Sequence, residues 1–193
     1  MKKAQPKSTR APRIVLGVTG SIAAYKACEI VRLCVKRGWE VRVVMTEAGA
    51  KFVTPLSFRT LSRNPVGLDA FEEPASWEPE HIGFAEWADV LVIAPCTAHT
   101  LAALAHGFAG NLLQSTALAT RAPRLLVPAM NTGMWDNVAT QENIRILRSR
   151  GDTVLDPDAG ELACGATGRG RLPDPEFVVS ALESLLRDHS LLP

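Results

Sequence analysis

The stretch Ile14-Val15-Leu16-Gly17-Val18-Thr19-Gly20-Ser21 decides the fold of this chain. Its first six residues form a short, β-rich apolar run that leads into a glycine turn, and this pattern is typical of a buried first strand. Ser21 is a natural N-cap, so we expect a helix from there to about Arg37, where Gly38 ends it. A strand that passes directly into a helix is the opening of an α/β unit.

The same alternation continues along the chain. The apolar run at 90–94 is continuous, as expected for a strand that is covered on both faces. Strands that alternate with helices predict a single-domain, doubly wound α/β fold (Rossmann- or flavodoxin-like), with a parallel sheet and helices on both faces. Folds of this class bind ligands beyond the carboxyl ends of their strands. We predict further strands at 41–45, 90–94, 124–127 and 153–155, and helices within 48–63 and at 97–106, 112–120, 140–150 and 175–187.

The composition narrows the classes of function. Of 193 residues, 47% are hydrophobic and 21% are charged, which is ordinary for a globular domain. The formal net charge is +1 and no basic stripe occurs, so neither a nucleic acid nor an anionic membrane is an expected partner. No apolar run reaches the roughly 18–20 residues that span a bilayer. We expect a disordered tail at 1–12, one compact domain at 13–187 and a C-terminal tail at 188–193.

The cysteines indicate a reducing compartment. Cys28, Cys34, Cys96 and Cys164 form no CxxC pair and lack the spacing of a secreted disulfide framework. No apolar signal-peptide segment follows the basic residues near the N-terminus. We therefore expect a cytoplasmic protein with reduced thiols, in which Cys28 and Cys34 pack within the first helix.

The turn after the first strand is a candidate phosphate site. A glycine turn at a helix N-terminus offers free backbone N–H groups and the positive end of the helix dipole, both of which favour a phosphate. Glycines at positions 17 and 20 alone do not match the dinucleotide fingerprint. A dinucleotide site usually has an acidic residue at the end of the second strand, and this chain has Thr46 there. Glu47 is the next residue, so NAD is disfavoured as a ligand but not excluded. A tight strand–helix turn without a ligand is the structural alternative.

Two further segments follow predicted strands at the same edge of the sheet. Pro95-Cys96-Thr97-Ala98-His99-Thr100 adds two hydroxyls at a helix start, for which simple N-capping by Thr97 is the alternative. Pro128-Ala129-Met130-Asn131-Thr132-Gly133-Met134-Trp135 surrounds one amide with two methionines and a tryptophan. This combination suits a flat ring beside a polar substrate group, whereas a plain core cluster is the structural alternative. We predict no metal site.

His81 and the segment 160–172 complete the candidate residues. We expect His81 to lie outside regular structure, just before a short helix, where it could reach a cleft as an acid or base. A surface histidine is the alternative. The segment 160–172 is rich in glycine and is predicted to be a mobile loop that closes over a site. Cys164 lies between small residues of this segment and would be an accessible thiol.

Four segments together resemble the homo-oligomeric flavin-containing cysteine decarboxylases. The likeness extends over about 13–186, nearly the whole chain, and unrelated doubly wound proteins do not share all four segments. The segments are 20–26, 128–135, Leu162-Ala163-Cys164-Gly165 with Gly168 and Gly170, and the histidine segment that ends in Trp87-Ala88-Asp89.

The resemblance implies a role for each matching residue. His81 would be the catalytic acid/base, and Cys164 would be the proton donor of the last half-reaction. Asn131 would bind the substrate carboxylate. The residues that would contact the substrate from the loop are Glu161, Leu162 and Ala163.

The resemblance also implies FMN as the cofactor and a homotrimer, or a multiple of it, as the assembly. Ala129 would line the flavin. The remaining cofactor-binding residues would be Gly20, Ser21, Ile22, Thr46, Thr97, Ala98, His99 and Thr100.

The reaction that the resemblance implies is FMN-dependent decarboxylation of 4′-phosphopantothenoylcysteine to 4′-phosphopantetheine in coenzyme A biosynthesis. Direct loss of CO2 from a cysteine carboxylate would leave a carbanion without an electron sink. Oxidation of the thiol-bearing carbon to a thioaldehyde supplies that sink, and a flavin is suited to this step.

Two alternative functions stay open. The first is a peptidyl-cysteine decarboxylase that releases an enethiol, which the presence of Cys164 disfavours. The second is a non-catalytic, flavin-binding regulatory protein, which the joint presence of His81, Asn131 and Cys164 disfavours. Two positions also depart from the family pattern: His99 stands where asparagine is usual, and Gly110 stands where an aspartate is common.

Overall fold

The computed structural model describes residues 10–69, 79–163 and 165–192. These residues fold around a six-stranded sheet with the order β3-β2-β1-β4-β5-β6, and every neighbouring pair in it is parallel. The predicted doubly wound α/β fold is therefore confirmed. The strands are β1 (Arg13–Val18), β2 (Glu40–Met45), β3 (Val66–Gly67), β4 (Val90–Cys96), β5 (Arg124–Pro128) and β6 (Thr153–Val154).

Helices cover both faces of this sheet. They are α1 (Ala24–Lys36), α2 (Glu47–Ala50), α3 (Pro55–Ser62), α4 (Glu80–Trp87), α5 (Ala98–His106), α6 (Leu112–Ala119), α7 (Thr132–Trp135), α8 (Val138–Ser149) and α9 (Pro175–Asp188). Ile14 and Leu16 share one apolar cluster with α1, α3 and α9, while Val15 shares the other with α4, α5, α6 and α8. Alternate residues of β1 therefore pack on opposite faces.

The strand order reverses at β1. The chain proceeds from β1 through β2 to β3 on one side, and then crosses to β4, β5 and β6 on the other. In an open α/β sheet, the crevice beyond the carboxyl ends of the two strands at such a reversal is the usual ligand site. The turns that follow β1 and β4 meet at this point.

The start of α1 differs from the sequence prediction. The helix begins at Ala24 rather than at Ser21, and its N-cap is Ala23, which makes no side-chain cap. Ser21 Oγ instead accepts a hydrogen bond from Ala23 N–H at 3.2 Å, and Ser21 O accepts one from Ala24 N–H. The serine therefore closes a separate turn before the helix, because its oxygens are used by the two following N–H groups.

The prediction of a loop at 160–172 is wrong, because part of this segment forms two β-strands. Residues on either side of its tip pair as an antiparallel hairpin, β7 (Asp158–Glu161) with β8 (Thr167–Arg171), which lies outside the main sheet. Neither strand has an apolar alternation, because apart from Ala159 both consist of glycine and polar residues, so the pattern does not reveal them. We call residues 158–171 the hairpin, and its tip includes Cys164, which lies outside the described residues.

Of the predicted N-terminal tail, only residues 10–12 are among the described residues. Residues 1–9 of the predicted N-terminal tail lie outside the described residues, and the tail boundaries stay a prediction. Arg10 forms a bidentate ion pair with Asp89, at 2.6 and 2.7 Å. Within the described ranges, no helix combines the length and the apolar character that crossing a bilayer requires.

Two buried thiols have strongly shifted acidity. Cys34 on α1 and Cys96 at the end of β4 are both buried as free cysteines. Burial raises the pKa of the Cys34 thiol to about 12, against a small opposing effect of Arg37. Burial also raises the pKa of Cys96, and Asp152 adds to it. Both thiols therefore stay protonated in the folded protein.

We expect iodoacetamide at pH 8 to leave Cys34 and Cys96 unmodified in the folded protein and to alkylate both after unfolding, as peptide mass spectrometry would detect. Their folded pKa values lie above the unfolded value of about 8.5, so their contribution to stability is complete below that pH. It is lost as the pH rises toward 12, because the unfolded thiols release their protons first. The free energy of unfolding in urea should fall between pH 8 and 11, and less steeply in the Cys34→Ala control. Equal alkylation in the folded and unfolded states would contradict this.

Candidate functional site

The segment 19–23, between β1 and α1, offers backbone donors at the carboxyl edge of the sheet. In the described part of the chain, the N–H groups of Gly20 and Ile22 donate to no protein acceptor. A Cβ at Gly20 would lie 2.5 Å from the Cβ of Ala48, so only glycine lets the neighbouring α2 segment approach this closely. Free N–H groups at the start of the 13-residue α1 suit a phosphate.

Thr19 connects this turn to the turn after β4. Its buried Oγ1 donates to Pro95 O at 2.7 Å and accepts from Thr97 N–H at 3.1 Å. The Ala94–Pro95 peptide bond is cis. Thr19 thus fixes the spacing of the two turns, and the sequence analysis missed it as a site residue. A hydroxyl at the carboxyl end of the first strand is the signal that could have revealed it.

The threonine hydroxyls of the predicted cofactor site are used as helix caps. Thr97 Oγ1 caps α5 by accepting from Thr100 N–H at 3.3 Å, and it also contacts Thr100 Oγ1 at 3.1 Å. Thr46 Oγ1 caps α2 by accepting from Gly49 N–H at 3.0 Å. The donors that α5 leaves for a ligand are the first-turn N–H groups of Ala98 and His99. The hydroxyls of Thr46 and Thr97 thus cap helices, and the role of this segment in holding a cofactor stays a prediction.

A cavity of about 570 Å³ lies between the start of α1, the end of β5 and the hairpin. We call it the hairpin cavity. It brings together three of the nine predicted cofactor residues and all four predicted substrate residues, and it also contains cationic and aromatic residues that the sequence did not reveal as site residues. The predicted residues in its lining are Ser21, Ile22, Ala129, Asn131, Glu161, Leu162 and Ala163, and the unassigned ones include Tyr25, Lys26 and Arg171.

Two contacts fix the hairpin above this cavity. Met130 N–H donates to Gly170 O at 2.9 Å, and Lys26 Nζ donates to Leu172 O at 2.8 Å. Gly170 has φ +139°, and a Cβ there would lie 2.1 Å from Met130 O, so the close approach requires glycine. Asn131 Oδ1 accepts from Gly133 N–H at 2.8 Å, which orients its amide at the start of α7.

His81 lies elsewhere, in a second cavity of about 600 Å³. Its predicted position outside regular structure is wrong, since it belongs to the first turn of α4, whose first hydrogen bonds run to Pro79 O. Asp69, Gly110 and Asn111 also line this second cavity. Within one chain, the structure therefore places His81 and Asn131 in different cavities.

His99 is likewise separate from the hairpin cavity. Its side chain is exposed and lines an apolar groove with Phe108, and this groove shares Gly110 and Asn111 with the cavity of His81. Cys164 lies outside the described residues. The described residues contain no group of three His, Cys, Asp or Glu side chains that could hold a metal ion.

Comparisons with known proteins agree with this architecture. Curated relatives include the coenzyme A biosynthesis bifunctional protein CoaBC of Bacillus subtilis (strain 168), 41% identical over 93% of this chain and 44% of the relative. The CoaBC of Escherichia coli (strain K12) is 46% identical over 86% of this chain and 41% of the relative. This chain thus spans less than half the length of these relatives.

Solved structures match along almost their whole length. A cysteine-to-serine variant of PPC decarboxylase, complexed with pantothenoylaminoethenethiol, superposes with a TM-score of 0.81 at 33% identity, covering 92% of this chain and 100% of that one. The FMN-binding protein AtHal3 superposes with a TM-score of 0.79 at 35% identity, covering 93% and 98%. The sequence model of the family described as Flavoprotein matches residues 2–187. This chain therefore belongs to the Flavoprotein family.

Proposed function

We propose that this chain catalyses the FMN-dependent decarboxylation of 4′-phosphopantothenoylcysteine to 4′-phosphopantetheine. The observation that carries the proposal is the hairpin cavity, in which the turn at 19–23, Ala129, Asn131 and the hairpin meet. The similarity to a PPC decarboxylase along the whole of that chain supports the same reaction.

The donor set of the site fits FMN. The turns after β1 and β4 each present unused N–H groups, Thr19 holds the two turns together, and Ala129 supplies a small apolar wall. Bound FMN would supply the two-electron oxidation of the thiol-bearing carbon and the later return of hydride. The protein's own residues would bind, orient and protonate the substrate.

Three side chains would perform those tasks. Asn131 would hold the carboxylate that leaves as CO2, with its amide oriented by Gly133 N–H. His81 would exchange the proton of the reacting thiol, because an imidazole can act as both a general acid and a general base. Cys164 would protonate the enethiol, so that the saturated thiol is the product.

We further propose that the complete site forms where two subunits meet. One chain supplies the hairpin cavity and another supplies His81, because a single chain keeps them in separate cavities. The groove beside the cavity of His81 carries Phe108, which is 64% exposed, and a second copy of this chain would cover it. Subunit contact at this groove would bring the two parts of the site together.

The mass in solution tests the assembly. We expect light scattering to give three times the 20.8 kDa of one chain, or a multiple of that value. Phe108→Glu should dissociate the assembly and abolish activity, because a charge would be buried at the contact. Phe177→Glu is the matched control, since Phe177 is 57% exposed on α9, away from the groove. A fully active monomer at micromolar concentration would refute the proposal.

The identity of the cofactor can be tested by denaturing the purified protein and identifying the molecule that it releases. We expect the purified protein to be yellow and to release FMN, rather than FAD, on denaturation, because the two turns suit one phosphate and lack the dinucleotide fingerprint. Chromatography of the supernatant identifies the flavin. Recovery of NAD or FAD, or no cofactor after reconstitution, would contradict the assignment.

The reaction is tested by mass spectrometry of the product that purified protein forms from 4′-phosphopantothenoylcysteine. The expected product is 4′-phosphopantetheine, together with CO2. An enethiol that is two hydrogen atoms lighter would favour a peptidyl-cysteine type of decarboxylase, and no turnover would favour a flavin-binding regulatory protein.

A further inference from the structure

The hairpin cavity contains two cationic side chains that have no task in the reaction as described so far. Lys26 comes from the first turn of α1, and Arg171 is the last residue of β8. Both line the cavity, where Glu161 is the single acidic side chain among the described lining residues. The lining therefore carries a net positive charge on the side where α1 meets the hairpin.

Lys26 is held at this position by the base of the hairpin. Its Nζ donates to Leu172 O at 2.8 Å and keeps its remaining N–H groups for other acceptors. Burial lowers the pKa of Lys26, and the nearby charge of Arg171 lowers it further, while Asp174 and Asp158 act in the opposite direction. The ammonium group of Lys26 is thus half-buried, and it lies close enough to the guanidinium group of Arg171 to be affected by its charge.

The side chain of Arg171 reaches across the hairpin to Gly160. Its Nη1 lies 3.4 Å from the position that a Cβ of Gly160 would occupy, so the guanidinium passes over a strand that has no side chain there. Asp158 faces Arg171 in the strand register. Across the described ranges, however, no carboxylate lies within ion-pair distance of Arg171. Arg171 is exposed and is one of the lining residues of the cavity.

We propose that Lys26 and Arg171 form an anion subsite that binds the phosphate of the substrate and so selects phosphorylated cysteine conjugates. This proposal rests on the proposed function, and it identifies Lys26 and Arg171 as the residues that determine substrate specificity. Two cations that face one cavity repel each other, and an anion between them removes that penalty. A guanidinium binds two phosphate oxygens at once, and an ammonium adds a third contact. The flavin phosphate is the other source of this chemistry, and the N–H groups of the turn at 19–23 are available for it.

The test compares two ligands that differ only in the phosphate. Calorimetric titration of the flavin-loaded protein with 4′-phosphopantetheine and with pantetheine gives the preference for the phosphorylated ligand. We expect Arg171→Gln to weaken binding of 4′-phosphopantetheine by about 10- to 100-fold, the usual effect of losing charged hydrogen bonds, with pantetheine unaffected. Lys26→Gln should reduce the same preference, since its amide can keep the contact to Leu172 O.

Arg169→Gln is the matched control, because Arg169 belongs to the same strand, is exposed and does not line the cavity. It should bind both ligands as the parent does. Equal weakening of both ligands in Arg171→Gln would overturn the subsite. Loss of FMN from Arg171→Gln, restored by added FMN, would overturn the substrate assignment and give the subsite to the flavin phosphate. If the parent releases no CO2 but its phosphate preference still depends on Arg171, the proposed reaction fails and the subsite stands.

Discussion

We expect the His81→Asn variant to keep its flavin and to release CO2 about 100- to 10,000-fold more slowly, which is the usual contribution of a general acid or base. His81 is half-buried in the first turn of α4, where it lines the second cavity. Asparagine has a similar size and can still hydrogen bond, but it exchanges no proton near neutral pH. The expected loss therefore concerns proton handling and not folding. Product formed per bound flavin measures it.

His189→Asn is the control for this variant. His189 is exposed at the C-cap of α9, so its replacement should leave both the rate and the thermal unfolding unchanged. If His81→Asn keeps a rate within a few-fold of the parent, His81 is a structural residue. If the flavin is lost together with the activity, His81 belongs to the cofactor site.

The second large effect concerns Cys164, which lies outside the described residues and is assigned by sequence alone. We expect Cys164→Ser to decarboxylate for about one turnover and then to stop at the enethiol, with the flavin absorbance bleached. A serine hydroxyl is a far weaker acid than a thiol of pKa about 8.5, so serine cannot protonate the enethiol at a useful rate. Mass spectrometry resolves the two hydrogen atoms that separate the enethiol from the saturated thiol.

Cys28→Ser provides the comparison, because Cys28 is half-buried on α1 and is not a lining residue of the hairpin cavity. That variant should form 4′-phosphopantetheine at the parent rate. Normal yields of 4′-phosphopantetheine from Cys164→Ser would remove Cys164 from the mechanism. They would also reopen the peptidyl-cysteine alternative, in which no second half-reaction is needed.

The main sheet could be predicted from the sequence because its strands are buried on both faces. The run at 90–94 was predicted as a strand, and the structure extends it only to Cys96. The two-residue β3 could not be predicted, since Val66 and Gly67 form too short a run to show a period. The hairpin was missed for a different reason: its strands are held by backbone pairing, and their side chains show no alternation.

The candidate site was predictable in part. Residues that follow strand ends could be placed at one edge, because all strands of the main sheet are parallel. Ser21, Ala129 and Asn131 line one cavity there, while their roles stay a prediction. Side-chain roles were harder to predict. A threonine after a strand can bind a ligand, cap a helix or do both. The structure shows that Thr46 and Thr97 accept cap hydrogen bonds, and their role toward the cofactor stays a prediction. Thr19 was missed although its hydroxyl at a strand end was a local signal, and the place of Arg171 in the cavity lining could not be predicted because it depends on the pairing of the hairpin.

The way the hairpin is attached has a consequence for how such proteins diversify. Its two strands pair only with each other, and two contacts, Met130 N–H to Gly170 O and Lys26 Nζ to Leu172 O, fix its base. The turns after β1 and β4 are joined to each other by the hydrogen bonds of Thr19 and not through the hairpin. If the hairpin contacts the substrate as proposed, we expect that exchanging residues 158–171 for a different hairpin on the same base would change the thiol acid that the protein accepts.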